Sequence, residues 1–555
     1  MILWMALAMA GEGRWKTVET EHYRVHYPVA AEVWATEAIS HLEEARERTM
    51  ALVGRDDDKI MDVYIQDPFA TANGMVLPFA HNPRMVLWAT PPDSDSVLSH
   101  YRDPFEDLII HEQLHASHML EPPRGPIGKL TWHLVGFGPM TTKAPRWITE
   151  GYATVVEGQL TGYGRPNADF RAALLRKLAQ EGRLPTYGQL NGSSRWMGYS
   201  FAYLVGSAYI EWLMERAGED AFPKVWRRMT ARSDKSFDQA FYGVFGDSAY
   251  DLYGRFCAEI TERAMAVETE HPEAELFMLL DGTTGPPEMS PSGTKMAMTY
   301  ERWRKPRHQE LGVFSTLVDQ DIFKRRERRL KRQLEADPLD VAPLPWKTDP
   351  HKRIERRWHE TKPAEYPRWI DEETLLIDVY YRTPAGRYVT DLVQWDFKRI
   401  EKRLTHGANV RRADPSRDGT WAVAVQHDWG ATRLVRVTLG TGNVIPLTEY
   451  SIETVVDVPR VSPDAKRIVF LEQTTGSGWK PVLYDLKTKE RTPIEIPEDL
   501  RVSDPEWSSN DTIVFGVGKK GFMEIAELDL RNGRWRTLTD TGGYALRPTV
   551  TKDWL

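Results

Sequence analysis

The chain has 555 residues, more than one hydrophobic core holds, so we expect two or more domains. Hydrophobic residues make up 41% and charged residues 27% of the chain, as in ordinary globular proteins. The net charge of −8 gives no overall attraction to nucleic acid or to an anionic membrane. The single cysteine, Cys257, excludes an intrachain disulfide and a zinc site built from cysteines.

The N-terminus is apolar from Ile2 to Ala10 and ends in the sequence AMA, a small-x-small pattern typical of signal-peptide cleavage. The apolar run is shorter than the roughly 20 residues that cross a bilayer. No other segment of the sequence is long and apolar enough to do so. We therefore predict a signal peptide over residues 1–10, no membrane span, and a periplasmic or extracellular location, with the cytoplasm as the alternative.

Residues 14–268 mix strand and helix patterns, which predicts a first domain of the α+β class. Segments 22–28 and 60–67 alternate like strands, and the helical pattern between them ends at Gly54. A further predicted strand at 84–92 is closed by prolines. Helical patterns then follow at 104–118, 146–160, 197–217 and 236–266.

The first of these later helices carries three histidines in the sequence LIIHEQLHASHMLE. His111 and His115 are four residues apart, so both imidazoles lie on one helix face and reach a single ion. Glu112 lies beside the first histidine, where a carboxylate takes a proton from a zinc-bound water. This H-E-x-x-H pattern predicts a zinc site with Glu112 as the general base. The alternative is a histidine pair that only packs.

Three residues compete for the third ligand position. The metzincin pattern needs Gly at position 118 and His at 121, where this chain has His118 and Glu121. His118 lies ~10.5 Å along a straight helix from His111, too far for one ion, so we predict a packed or solvent-facing histidine. The remaining candidate is Glu150, in the helical segment WITEGYATVVE, where the following glycine allows close helix approach.

That segment resembles the W-x-x-E-G-x-A sequence of the aminopeptidase N family and of the smaller peptidase MA-like family, both gluzincins. The opening WKTVETEHYRVHYP, the strand NPRMVLWATPP and the sequence AYLVGSAYIEWLMERAGEDAF also resemble the peptidase MA-like pattern. The resemblance covers about residues 14–265. It implies a gluzincin-type metallopeptidase domain with one Zn²⁺ per chain, held by His111, His115 and Glu150.

The sequence departs from the best-known gluzincins in two respects. Thirty-four residues separate His115 from Glu150, a longer connection than in the aminopeptidase and thermolysin types. The connecting segment, 121–145, is rich in Gly and Pro and is predicted to be a loop near the mouth of the site. The exopeptidase glutamate motif of aminopeptidases is not visible, so recognition of a free amine is not implied.

The resemblance also indicates an oxyanion donor, which related gluzincins often take from a tyrosine of a later helix. It places Tyr203 in that role, with Tyr199, one turn earlier, as the rival. For both tyrosines the alternative is an aromatic side chain that only packs. We further predict that the strand around residues 84–90 pairs with an extended substrate as an added β-strand.

Beyond about residue 275 the chain consists of short strands and turns that repeat. The steps between equivalent turn positions are 80, 44, 48, 46 and 43 residues for Pro291, Asp371, Pro415, Pro463, Ser509 and Lys552. A period in the forties with a strand, a turn and a strand in each unit is the signature of β-propeller blades. The sequence SPDAKRIVFLEQ and its continuation resemble a TolB-like blade.

We therefore predict an all-β propeller at 286–555, after a linker at 269–285, with five to six blades of 40–48 residues and an incomplete last blade. The long first step holds an insertion at 322–360. Its first part, IFKRRERRLKRQLEADP, is basic and helical in pattern. We interpret it as a solvated helix, with a docking arm for an acidic partner as the alternative.

Taken together, the patterns predict a zinc-dependent peptidase that cleaves peptide or protein substrates. The propeller would guide the access of the substrate or of a protein partner. The alternative is a catalytically inactive binding or scaffold protein of the cell envelope that works through its propeller.

Overall fold

The computed structural model describes residues 14–55, 57–191, 200–267, 285–302, 305–340, 356–358, 362–384, 386–397 and 402–551. The predicted signal peptide, nearly all of the predicted linker and Tyr199 lie outside these ranges. The described residues form a multidomain chain with a largely helical N-terminal part and a C-terminal β-propeller. The boundary at 269–285 stays a prediction. No described helix is long and apolar enough to cross a membrane.

One five-stranded sheet supports the N-terminal part. Its strands are β1 (Trp15–Glu19), β2 (Tyr23–Pro28), β3 (Met61–Gln66), β4 (Gly74–Leu77) and β5 (Arg84–Trp88). The strand order is β1-β2-β3-β5-β4; β2, β3 and β5 run parallel, and β1 and β4 are antiparallel edges. The prediction that the strand at 84–90 pairs with a substrate is wrong, because β5 is already paired on both sides. Of the two edge strands, β4 is the one that lies against the histidine helix (Pro104–Met119), with Gly74 beside Leu108 and Glu112.

The helices pack on this sheet and on one another. In chain order they are α1 (Glu32–Val53), α2 (Pro104–Met119), α3 (Pro126–Val135), α4 (Pro139–Lys143), α5 (Arg146–Thr161), α6 (Asp169–Gln180), α7 (Tyr187–Leu190), α8 (Ser200–Ala217), α9 (Ala221–Met229), α10 (Phe237–Phe245) and α11 (Ala249–Met265).

The sequence patterns predict six of these eleven described helices, α1, α2, α5, α8, α10 and α11, but not all of their ends. Gly54 terminates α1 in the left-handed conformation, as expected, with φ of 66°. The predicted helix at 236–266 is split, because Gly246 ends α10 and Ser248 caps α11. The prediction of a loop at 121–145 is wrong in part, since this segment contains α3 and α4.

Helices α5 and α8 cross at two glycines. A Cβ atom on Gly151 would lie 2.8 Å from the carbonyl carbon of Gly206, and one on Gly206 would lie 2.9 Å from the Trp147 carbonyl oxygen. No side chain fits at either position, so the two backbones approach closely. Trp147 is fully buried beside this crossing. The contact with α8 therefore fixes the position of α5, whose side chains face α2.

The C-terminal half is a propeller of five blades, each a four-stranded antiparallel sheet. The blades are β6–β9 (Glu288–Met289, Lys295–Arg302, Lys305–Ser315, Arg356–Arg357), β10–β13 (Ala364–Asp371, Thr374–Arg382, Tyr388–Trp395, Lys402–Arg403), β14–β17 (Val410–Pro415, Trp421–Asp428, Ala431–Thr438, Val444–Pro446), β18–β21 (Thr454–Val461, Arg467–Thr474, Lys480–Asp485, Arg491–Pro493) and β22–β25 (Arg501–Ser509, Thr512–Lys519, Phe522–Asp529, Arg534–Thr537).

Five blades agree with the predicted five to six, and the prediction of an incomplete last blade stays a prediction, because its turn lies beyond the last described residue, 551. The fifth blade has all four strands, and the described residues after β25 add only an isolated bridge between Met523 and Tyr544. The hydroxyl of Thr549 then accepts a hydrogen bond from the Met289 amide at 3.2 Å, so the last described residues return to the first blade. The sixth turn position, Lys552, lies outside the described residues.

The basic segment of the first blade forms a single helix, α12 (Gln320–Ala336), between β8 and β9. The Asp319 side chain caps its N-terminus by accepting from two backbone amides. None of its residues is buried. This agrees with the interpretation of a solvated helix for the described part of the insertion.

The loop between β5 and α2 inserts into the axial channel of the propeller. Asp93 and Asp95 accept hydrogen bonds from the Arg412 guanidinium at 3.1 and 2.5 Å. The Ser94 hydroxyl donates to the Asp457 carboxylate at 2.7 Å. Arg412 and Asp457 belong to the innermost strands of two neighbouring blades, β14 and β18. The propeller therefore holds the segment that leads directly into the histidine helix.

Candidate metal centre

Local signals fix the start of the histidine helix α2. The Asp103 side chain accepts hydrogen bonds from the amides of Phe105 and Glu106 at 2.9 and 3.2 Å, and Pro104 occupies the first helical position. Apolar residues then bury the helix against the sheet. His111 and His115 follow one turn apart on the face that looks toward α5.

Two polar contacts fix the rotation of α2 against its surroundings. The Tyr23 hydroxyl of β2 donates to the Gln113 side chain at 2.8 Å. The hydroxyls of Thr49 in α1 and Ser117 in α2 lie 3.0 Å apart. All four side chains are fully buried. Buried hydrogen bonds of this kind are costly to break, so they hold the histidine face toward α5.

The structure brings together the three predicted metal ligands. The Nε2 atoms of His111 and His115 lie 3.7 and 3.1 Å from Oε2 of Glu150, and the three ligand atoms lie within 4.8 Å of one another. Three ligands held tetrahedrally at ~2.1 Å from one ion would lie roughly 3.4 Å apart. Two imidazoles and one carboxylate are also a donor set that zinc accepts. The geometry and the chemistry of these residues therefore fit a zinc ion.

The charge of Glu150 is preserved despite its position. Burial alone would raise the pKa of its carboxyl, but the neighbouring His115 and His111 hold that pKa well below its usual range. The side chain is 19% exposed, between two helices. A carboxylate that stays ionised in such surroundings is a competent cation ligand.

A second layer orients the first histidine. Nδ1 of His111 lies 3.1 Å from Oε2 of Glu157 and 2.9 Å from the Arg165 guanidinium, which also donates to Glu157 at 2.6 Å. In the tautomer that donates to Glu157, Nε2 carries no proton and is free to bind metal. Burial would raise the pKa of Glu157, but the charges of Arg165 and His111 lower it to about 2.

Sequence reasoning missed both members of this layer. Glu157 lies seven residues after Glu150 on α5, so helical periodicity alone places the two carboxylates on one face. Arg165 lies beyond the end of that helix, in a 3₁₀ turn, and no sequence signal indicates its position. Its side chain reaches the site only because the chain folds back after α5.

Glu112 lies between the histidine face and the edge strand β4. Its carboxylate accepts a hydrogen bond from the Val76 backbone, and a Cβ atom on Gly74 would lie 3.0 Å from its Cγ. Burial raises the pKa of the Glu112 carboxyl to about 7. A cation held by the adjacent ligands would lower that pKa again. Glu112 is thus beside the ligand cluster and faces the free sheet edge.

Tyr203 of α8 also lies at the cluster. Its ring stacks over His111 with 6.0 Å between ring centres, and its hydroxyl accepts from the Arg146 guanidinium at 3.2 Å. Burial raises the pKa of Tyr203 to about 12, so the phenol keeps its proton at neutral pH. The rival, Tyr199, lies outside the described residues, so the choice between them stays a prediction.

His118 is fully buried and packs against Trp226 and Tyr152, with 5.3 and 6.2 Å between ring centres. The sequence left two alternatives for this residue, packed or solvent-facing, and the structure shows a packed histidine. Burial lowers the pKa of His118 well below its usual range. Neither ring nitrogen has a hydrogen-bond partner in the described part of the chain. His118 is not part of the ligand group.

A cavity of about 260 Å³ opens beside the ligand cluster. Its lining is mostly apolar and comes from the β5–α2 loop, α2 and α8. The apolar residues include Trp88, Pro92, Val97, Leu98, Tyr101, Phe105, Leu108 and Leu204, and the charged ones are Asp107, His111, Glu112, Glu157 and Arg165. A mainly apolar space with a few convergent polar groups is the usual form of a ligand site.

No family model matches the chain, and no curated protein matches its sequence. TolB from Acinetobacter baumannii aligns over 50% of this chain and 59% of its own length, with 16% identity and a TM-score of 0.36. Prolyl oligopeptidase B from Galerina marginata aligns over 47% of this chain and 35% of its own, with 13% identity and a TM-score of 0.30. Oligogalacturonate lyase from Vibrio parahaemolyticus aligns over 45% of this chain and 63% of its own length, with 12% identity and a TM-score of 0.29.

The chain therefore spans less than two thirds of the length of each of these three structures. At these TM-scores the propeller assignment rests on the chain's own sheet topology. That topology defines a multidomain protein with a helical N-terminal part and a five-bladed β-propeller.

Proposed function

We propose that the chain is a zinc-dependent peptidase of the gluzincin type. The observation that carries this proposal is the convergence of His111, His115 and Glu150 beside a buried glutamate, Glu112, at a free sheet edge. A structural histidine pair would not need a third ligand held ionised between two helices. Nor would it need the Glu112 carboxylate between the histidines and the edge strand β4.

Zinc in this site would supply a Lewis acid and acidify a water in its open coordination position. The Glu112 carboxylate accepts the proton of the attacking water and carries it to the amine of the leaving peptide. The Tyr203 hydroxyl donates a hydrogen bond to the oxygen of the substrate carbonyl as negative charge develops there. In the metal-binding tautomer of His111, Nδ1 donates its proton to Glu157 and Nε2 is free for the metal.

The substrate binds as an added strand on β4, the edge strand beside Glu112. An extended peptide there gains backbone hydrogen bonds without any requirement on its sequence. Gly74 in β4 lies against Glu112, so the peptide backbone reaches the general base at that point. The apolar cavity beside the cluster then receives one apolar side chain of the peptide. This proposal concerns β4 and replaces the prediction for residues 84–90, which the pairing of β5 contradicts.

The propeller contributes to this site by holding one wall of the cavity. Pro92, Leu98 and Tyr101 line the cavity from the β5–α2 loop, whose polar residues insert into the propeller channel. Tyr101 also packs against Trp479 of the fourth blade, with 6.3 Å between ring centres. The propeller therefore guides substrate binding through a fixed loop.

We expect Asp93→Asn to raise KM for a peptide substrate about tenfold, because a loosened loop weakens side-chain binding. Zinc content should stay at the wild-type level. The matched control is Asp391→Asn, which removes a buried carboxylate paired with Arg403 inside the second blade. Steady-state kinetics of both variants separate the two effects. A KM that rises equally in both variants would show that a general loss of propeller stability, and not the loosened loop, weakens substrate binding.

Tyr203→Phe is expected to lower kcat by roughly 10²–10³, the usual effect of losing one oxyanion donor, with zinc content unchanged. Tyr250→Phe, at an exposed tyrosine, serves as the control. Kinetics of Tyr199→Phe in parallel decide between the two candidates. Full activity of Tyr203→Phe together with a strongly lowered kcat of Tyr199→Phe would assign the oxyanion donor to Tyr199.

The second candidate function is a binding or scaffold protein of the cell envelope that acts through its propeller. The propeller channel, whose charged residues pair with the β5–α2 loop, favours a structural role for that half. A digest of a peptide library by the purified full chain, with and without a metal chelator, tests the proposal. Cleavage that the chelator abolishes supports the peptidase. A zinc-loaded chain that cleaves no peptide in the library supports the scaffold.

A further inference from the structure

The helix α3 (Pro126–Val135) exposes an unusual amount of apolar surface. None of its ten residues is buried. The exposed fractions are 81% for Ile127, 60% for Leu130, 73% for Leu134 and 58% for Val135. Single exposed apolar residues are normal on a protein surface, but four on one short helix mark an interaction site.

The apolar residues form one face, and the opposite side holds the helix to the protein. Ile127, Leu130 and Leu134 are spaced three and four residues apart, so they lie on a single stripe. On the inner side, Trp132 packs against the core of the N-terminal part, and the carbonyl of His133 accepts from His81 Nε2 at 2.8 Å. The stripe therefore points outward from a fixed helix.

Cations border this stripe. Lys129 is exposed on the helix, and Arg124 lies just before it with 49% of its side chain exposed and its guanidinium 3.8 Å from the Glu121 carboxylate. The backbone of exposed Arg232 abuts the start of the helix at Gly125. The acidic residue nearest in sequence, Glu121, is turned inward and accepts from the Thr230 hydroxyl at 2.9 Å.

We propose that the outward face of α3 binds the interface of an anionic lipid bilayer. A helix with an aliphatic face and cations at its border lies in the plane of the headgroups, with the aliphatic side chains among the acyl chains. Ten residues rise only ~15 Å, so the helix lies on the bilayer and does not cross it. Protein interfaces favour aromatic residues and disfavour lysine, whereas this face is aliphatic and is bordered by Lys129.

The binding requires this local patch, because the net charge of −8 gives no general attraction to anionic lipid. Salt should weaken the binding without abolishing it, since the cations act through solvent and the apolar burial does not. The helix lies in the connection between α2 and α5. The proposal does not depend on peptidase activity.

Co-sedimentation of the full chain with vesicles tests the proposal. We expect binding to vesicles of equal parts phosphatidylglycerol and phosphatidylcholine, and weaker binding to phosphatidylcholine alone. The double substitution Ile127→Asp with Leu134→Asp should lower binding at least about tenfold, because two apolar anchors become charged. The control Ile445→Asp alters an apolar residue of the propeller that is 51% exposed, and it should bind like the wild type.

The variants should keep the wild-type thermal unfolding midpoint, because both substituted side chains are exposed in the folded chain. Failure of the wild type to sediment with anionic vesicles would overturn the proposal. Equal sedimentation of the double variant would also overturn it, by placing the lipid contact elsewhere. A wild-type dimer that the double variant dissociates, without lipid binding, would identify a second copy of this chain as the occupant of the face.

Discussion

Glu112→Gln is expected to lower peptide cleavage by roughly 10²–10⁴-fold while the chain still binds one zinc ion. The amide keeps the shape of the side chain and its place beside Gly74, but it cannot accept the proton of the attacking water at neutral pH. Cleavage of a fluorogenic peptide and the zinc content of the same preparation measure the two effects together. Loss of activity with retained metal would assign the proton transfer to this residue.

The control for this substitution is Glu106→Gln, on the same helix one and a half turns earlier. Glu106 is partly exposed near Arg48 and lies outside the ligand cluster, so its amide variant should cleave at the wild-type rate. Full peptidase activity of Glu112→Gln would contradict the proposed function whatever the metal content.

Glu150→Ala is expected to weaken zinc binding more than about 100-fold, because even the residues that orient a metal ligand contribute 10–100-fold. Removal of the carboxylate leaves His111 and His115 as two neutral ligands. The matched variant is Glu157→Gln, which keeps all three ligands and loses only the support of His111. It should weaken zinc binding by roughly 10–100-fold. Competition with a zinc chelator measures both affinities.

The order of these effects is the informative result. The affinity should fall from wild type to Glu157→Gln and further to Glu150→Ala. A wild-type zinc affinity in Glu150→Ala would place the third ligand elsewhere in the chain. The same affinity in both variants would show that the two carboxylates have equivalent roles, against the assignment made from their distances.

The convergence of the three candidate ligands could be predicted from sequence, because helical periodicity and one short motif indicate it. The four-residue spacing puts His111 and His115 on one face, and the sequence around Glu150 resembles that of a known ligand helix. The small residue at 151 indicates a close helix crossing, and the structure has that crossing at Gly206. Relations of this kind are local, so they can be read along the chain.

What the sequence did not predict depends on contacts between distant segments. Arg165 reaches the ligand cluster only through the turn after α5. The edge strand beside Glu112 is β4, a four-residue strand without a clear alternating pattern. The insertion of Asp93 and its neighbours into the propeller channel joins residues more than 300 positions apart. No local pattern encodes such pairings.

The sequence does not predict helix α3, for a different reason. The segment 121–145 contains several Gly and Pro residues, which predict turns, and they do occur at the ends of α3 and α4. Between these residues the chain is helical, with Gly136 in the left-handed conformation after α3 at φ of 78°. The apolar spacing within α3 was a usable helix signal that the surrounding glycines and prolines outweighed.

The most direct test of the central claim is a titration of the metal-free full chain with zinc, with peptide cleavage followed at each addition. The account predicts that cleavage rises linearly and stops rising at one zinc per chain, because a single site carries both the metal and the reaction. It further predicts that Glu112→Gln binds the same single equivalent and shows no cleavage at any point. A chain that takes up one zinc without any cleavage, or that cleaves equally well without zinc, would contradict it.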